Sequence, residues 1–202
     1  LGLIVEHQPD SSAAPRALYR MAQLLWNQDE DVAAEAAFRQ YLKRWPGQPQ
    51  TADALYAIGR IQQAEGRRLA AIETYERLAR EYPAAKTAWE ARWRVGWIEY
   101  EGKLWSAAAT TFASVARAAA DPAEAAAARY WQARALERGG RPDEANQLYR
   151  RVLAEAPVSY YAWRAEQRLG EERFDVAAQV QPVELPLPPP PASIDRFHLE
   201  RY

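Results

Sequence analysis

Four columns of like residues recur along this chain at a step of 37. Ala34, Ala71, Ala108 and Ala145 form one, and Ala22, Gly59, Gly96 and Ala133 form a second, all small. Tyr19, Tyr56, Trp93 and Tyr130 make an aromatic column, as do Phe38, Tyr75, Phe112 and Tyr149. A repeat of this length holds two helices and a turn, but no such unit buries its own apolar face. Stacked helical hairpins follow, each dependent on its neighbours. The expected fold class is all-α: an α-solenoid of about four and a half repeats of 37 residues, with a Pro-rich tail. That architecture narrows function to binding or positioning.

Local signals divide each repeat into two helices. In the second, Thr51 or Asp53 is expected to cap a helix running to about Ala64, Gly66 to make the turn, and a second helix to run from about Leu69 to Glu81 before Pro83 stops it. The fourth repeat copies this with Gly139 and Gly140 at the turn, Pro142 in the first turn of the second helix, and Pro157 in the column of Pro83. Pro46 ends the first repeat in the same way. The third has Ala120 in that column and Pro122 two residues later, so its boundary is expected to be shifted or looser.

The small residue on each first helix, the alanine on each second helix and the following aromatic resemble the tetratricopeptide pattern. The resemblance runs from about Pro15 to Pro157, with a period longer than the usual length of about 34. The extra residues are expected in the connections, as in the stretch from Gly47 to Thr51. A fifth first helix follows, because Ala165 extends the column Ala17, Ala54, Ala91 and Ala128, and Gly170 extends the small column. Its partner helix never comes. Pro186 and Pro188 through Pro191 impose an extended conformation, after which Ser193 or Asp195 is placed to cap another helix. The organisation read from these signals is an N-terminal segment over 1–12, a helical-repeat domain over 13–170, a Pro-rich linker over 171–192 and the start of a further helix over 193–202. The chain opens without Met and closes on a short helical start, as expected of a mature or excised segment with more helices beyond Tyr202.

Composition excludes several classes of partner. Hydrophobic residues make up 49% and charged residues 26%, enough apolar material for a continuous core. The net charge of -1 gives no global basic field, which argues against nucleic acid. No apolar run approaches the roughly 20 residues that span a bilayer, and the opening Leu1–Val5 lacks the length and basic flank of a secretion signal. Without cysteine the chain forms no disulfide and uses no thiolate.

No motif for a catalytic centre or cofactor is found. His7 and His198 lie near opposite ends of the chain, so neither a metal site nor a histidine-dependent nucleophile is expected. Glycines fall at helix turns, not in a phosphate cradle, and no cofactor is expected. Carboxylates are abundant, but beside Arg or Lys on solvated faces, for example Glu73 and Glu76 with Arg80, where helical pairing accounts for them.

Aromatic residues carry the stronger binding signal. Trp89, Trp93 and Trp97 recur every fourth residue and form one stripe on a helix, suited to stacking on sugar rings or a partner surface. Trp93 belongs to the packing column and reads as core, which leaves Trp89 and Trp97 as surface candidates.

The segment from Ala128 to Gly170 resembles the last superhelical repeats of soluble lytic murein transglycosylases. Tyr130, Trp131, Ala133 and Arg134 match a YWxAR helix; Pro157 ends the next helix; Ser159, Tyr160 and Tyr161, then Arg168, Leu169 and Gly170, match an SYY helix closing in RLG. The resemblance implies the helical region of a periplasmic bacterial cell-wall enzyme, with peptidoglycan glycan strands and a lysozyme-like catalytic domain as partners in cis. The family's catalytic Glu-Ser pair and GLMQ-type motif do not occur in this sequence, so no catalytic residue carries over. Trp131, Arg134, Tyr160 and Tyr161 join Trp89 and Trp97 as the candidate binding surface. The alternative is a stand-alone tetratricopeptide-like scaffold that takes a protein or peptide in its concave groove.

Overall fold

The computed structural model describes residues 11–170. These hold nine helices and no strand: α1 Ala14–Asn27, α2 Asp31–Arg44, α3 Thr51–Ala64, α4 Arg68–Glu81, α5 Lys86–Glu101, α6 Trp105–Ala118, α7 Pro122–Arg138, α8 Pro142–Glu155 and α9 Tyr160–Leu169. Two compact units divide the chain, residues 1–98 and 99–202. The expected features at His7, in the Pro-rich segment, at His198 and over 193–202 lie outside the described residues.

The repeat period survives in the helix bounds. The second helices begin at Asp31, Arg68, Trp105 and Pro142 and end at Arg44, Glu81, Ala118 and Glu155, each in steps of 37. The first helices also end in step, but they do not begin in step. α5 and α7 have 16 and 17 residues against 14 in α1 and α3, so helix takes up part of the length expected in the connections. The third boundary is accordingly shifted, with α7 starting earlier than the period would place it, and it is not looser. Pro122 opens α7, where its missing N–H is no loss, and the Asp121 side chain accepts a hydrogen bond from the Ala123 N–H at 2.8 Å. By contrast α3 begins at Thr51 after Gln50 with no side-chain cap, so neither Thr51 nor Asp53 caps it. A cap must precede the first helical residue to reach the free N–H groups, and both lie inside.

The hairpin turns share one backbone geometry. Asp29, Gly66, Lys103 and Gly140, again one period apart, all have left-handed backbone, with φ of 61°, 75°, 61° and 78°. Each following N–H then reaches back to a carbonyl of the last helical turn: Glu30 to Leu25, Arg67 to Gln62, Leu104 to Glu99 and Arg141 to Leu136, at 2.8–3.0 Å. In the third hairpin Gly102 stands one residue too early for this geometry, and Lys103 takes the left-handed position.

The recurring columns form the core. In the unit 1–98, Ala34, Ala71, Phe38 and Tyr75 are wholly buried, and α3, α4 and α5 share a cluster of Leu55, Tyr56, Tyr75, Leu78, Val95 and Ile98. Gly59 is the tightest point: a Cβ there would lie 2.5 Å from Cε1 of Tyr75. In the unit 99–202, Ala108, Ala145 and Phe112 are wholly buried and Tyr149 nearly so. Full burial of a side chain the size of Phe112 stabilises by about 1.5–3 kcal/mol. α9 ends on Gly170, left-handed at φ 64°.

Candidate binding surface

Within the unit 1–98, the first helices carry a buried polar network. Arg94, only 3% exposed, donates from Nε to the Tyr56 hydroxyl at 2.7 Å, from Nη2 to Glu90 at 3.2 Å and from Nη1 to Gln63 at 3.4 Å. The Tyr56 hydroxyl donates to Glu90, and the Tyr75 hydroxyl donates to Gln63 at 3.2 Å. A buried guanidinium is tolerated when acceptors and counter-charge surround it in this way. Burial, opposed by Arg94 and reinforced by Glu90, pushes the Tyr56 hydroxyl up to about 12. Its role is to pin α5 on α3.

Trp89 and Trp97 both lie half-buried on α5 in this unit. Trp89 stacks on the core residue Trp93 with ring centroids 5.3 Å apart, and its indole N–H is buried without an acceptor. This is the environment of a packing residue. The carboxylates also depart from the sequence pattern. Among the described residues Glu73, Glu76 and Arg80 form no ion pair; the pair within α4 is Arg77 with Glu81 at 3.1 Å. Arg77 and Glu81, four apart with both side chains partly exposed, meet on one edge of the helix. Glu35 leaves the solvated class altogether: it is 8% exposed and accepts from Arg39, Arg67 and Gln62.

Within the unit 99–202, Trp131, Arg134, Tyr160 and Tyr161 come together. Ring contacts run from Trp105 to Tyr100, Trp131, Tyr130, Tyr161, Tyr160 and Trp163, with successive centroids 5.1, 5.4, 5.5, 5.5, 5.2 and 6.1 Å apart. Burial pushes the Tyr161 hydroxyl up, against the opposing influence of the Trp131 indole. Ser159 sets the rings in place by capping α9: its Oγ accepts from the Ala162 N–H at 3.1 Å. The series ends on Trp163, half exposed at 50%.

Trp163 is the surface residue that sequence reasoning passed over. Its signal was the register, since it falls in the column of Ala52, Trp89 and Ala126, and the two alanines are 7% and 1% exposed.

Beside this row lies a cluster of charge. Arg134 on α7 is 9% exposed, and its Nε is 3.5 Å from Glu137. Glu137 also accepts from the Tyr149 hydroxyl at 2.7 Å and pairs with Arg168 at 3.6 Å. Burial acts to lower the Arg134 pKa, but Tyr100, Tyr130, Glu137 and Tyr149 raise it more, so it stays charged. No cluster of metal-ligating side chains occurs among the described residues, and no described helix is long and apolar enough to cross a membrane.

Helical hairpins of this period, with small residues where helices meet and aromatics between them, define the class of helical-repeat solenoids. The chain belongs to the tetratricopeptide repeat family, whose model matches residues 3–49, 19–86, 56–123 and 104–160. No curated protein matches it. Among solved structures it is similar to MamA from Desulfovibrio magneticus (14% identity, 78% of this chain and 86% of that one, TM-score 0.58). It is also similar to a tetratricopeptide repeat protein from Parabacteroides merdae (16% identity, 83% and 63% coverage, TM-score 0.58). PilF of Pseudomonas aeruginosa is a third such relative (18% identity, 79% and 69% coverage, TM-score 0.55). At these identities the likeness establishes the fold.

Proposed function

We propose that this protein is an interaction scaffold that binds a peptide or protein segment on the aromatic surface of the unit 99–202. The observation that carries this reading is the row of rings ending on Trp163, which is 50% exposed although its helical register is a core position elsewhere in the chain. Aromatic rings fixed by packing make good anchors, because they contribute large contact area while losing little conformational entropy. Family membership supports the same reading, since repeat solenoids present extended binding surfaces. The test is a display selection of peptides on the purified protein, followed by titration of the selected peptides against Trp163→Ala. A roughly tenfold or larger loss of affinity with an unchanged melting temperature is expected. Binding indistinguishable from the unsubstituted protein would sink the assignment of the surface.

A second reading rests on the order of Tyr130, Trp131, Arg134, Ser159, Tyr160, Tyr161 and Gly170: the helical region of a periplasmic peptidoglycan lytic transglycosylase, with glycan strands and a lysozyme-like domain as partners. Co-sedimentation with purified sacculi, together with a lysozyme-like domain carrying a Glu-Ser pair encoded after Tyr202, would support it. A protein that stays in the supernatant and a gene without that domain would remove it.

A further inference from the structure

Arg134 is a buried cation short of acceptors. Nine-tenths of its surface is removed from water, its Nε has no hydrogen-bond partner, and within the described residues it donates no hydrogen bond. Its one counter-charge, Glu137, stands at 3.5 Å, beyond the ~2.7–2.9 Å of a charge-assisted hydrogen bond. Glu137 is moreover shared: it accepts from Tyr149 and faces Arg168 at 3.6 Å. The Tyr130 hydroxyl, next to Arg134 electrostatically, is likewise buried without a partner. Contrast Arg94, which is buried still more deeply but bonds to Tyr56, Glu90 and Gln63. Nε is closed off from the surface, so the donors left for a further acceptor are those of Nη1 and Nη2, which no hydrogen bond within the described residues engages.

We infer that Arg134, with Arg168, is the recognition site for an acidic side chain of the bound peptide, and that the adjoining row from Trp131 to Trp163 takes the apolar residues beside it. This inference rests on the peptide-binding reading and specifies its partner: a segment in which Glu or Asp alternates with apolar residues. Charge favours it. Arg134, Arg164 and Arg168 stand on α7 and α9 beside the row, with Arg164 5.9 Å from the Trp163 ring; against these three stand two carboxylates, Glu137 and the buried Glu166 of α9, which leaves a positive excess. An Asp or Glu side chain reaches a guanidinium recessed below the surface while its backbone stays outside, and planar carboxylate recognition is what arginine does best.

The probe is a short fluorescein-labelled peptide alternating Glu and Leu, compared with its Gln-for-Glu counterpart, by fluorescence anisotropy on the full chain. The expected result is a preference of roughly tenfold or more for the Glu peptide, diminishing with added salt. Glu137→Gln should strengthen Glu-peptide binding several-fold, because it frees both arginines from their resident carboxylate. Arg134→Met should abolish the preference while leaving binding of the Gln peptide, and Arg134→Lys should restore part of it. Should Arg134→Met fail to fold, Glu137→Gln decides, since that side chain is partly exposed and a structural role for Glu137 gives no gain. Equal binding of the two peptides, or no gain in Glu137→Gln, overturns the acidic specificity and leaves peptide binding intact. Failure of both peptides to bind overturns the two together.

Discussion

Substituting Gly59 by alanine sets two physical effects of opposite sign against each other. In an ordinary helix interior the change stabilises by about 1 kcal/mol, through helix propensity. In α3 the new Cβ would lie 2.5, 2.7 and 2.8 Å from three ring atoms of Tyr75. That ring has little freedom to move: Tyr75 is wholly buried, its hydroxyl is tied to Gln63 at 3.2 Å, and it packs 5.9 Å from Tyr56. The collision therefore belongs at the upper end of the ~1–3 kcal/mol typical of overpacking. Gly59→Ala is expected to destabilise by about 2 kcal/mol net, lowering the melting temperature by roughly 2–4 °C per kcal/mol in a chain of this size. Tyr75→Leu removes the obstructing ring, and in that background Gly59→Ala should stabilise by about 1 kcal/mol, a coupling near 3 kcal/mol. Urea denaturation followed by circular dichroism on the four proteins measures it. If Gly59→Ala stabilises the protein with Tyr75 in place, the account of the small-residue column is wrong.

Lys103→Gly relieves a non-glycine residue held at φ 61°, a conformation that costs roughly 1 kcal/mol, and should raise stability by somewhat less than that; a fall in melting temperature would contradict the turn geometry. Glu35 supplies a pH dependence. Burial opposes its ionisation, but hydrogen bonds from Arg67 and Arg39 prevail and hold its carboxyl below the ordinary 4.5. A depressed folded pKa means stability present above about pH 4.5 and lost as pH falls through the lower folded value. Glu35→Gln should flatten acid unfolding in that window, and an unchanged profile would show the pairing to be energetically idle.

Some of the candidate surface was legible in sequence and some was not. Tyr160, Tyr161, Trp131 and Arg134 were marked by their order along the chain, and the fold brings them into one unit. Trp89 and Trp97 were marked by helical spacing, which places residues on a stripe without saying what faces it, and Trp89 packs on Trp93. Trp163 was overlooked because its register is buried at Ala52 and Ala126, and burial of a position in one repeat does not fix its burial in the next. The third turn falls on Lys103 although glycine stands next to it at 102, because periodicity outweighs residue preference: the left-handed position keeps the period whichever residue occupies it.

The sequence by itself determined the all-α repeat, the hairpin length and the residues that fill the core, because small and aromatic side chains recurring at one step leave a single way to bury them. It also determined the prolines that bound the second helices. Only tertiary structure decided which charges are satisfied. Arg94 and Arg134 read alike in a sequence, yet one meets a hydroxyl, a carboxylate and an amide from two helices while the other meets a single shared carboxylate. Hydrogen-bond satisfaction depends on ångström-scale placement of groups far apart in the chain, and helical period does not encode it.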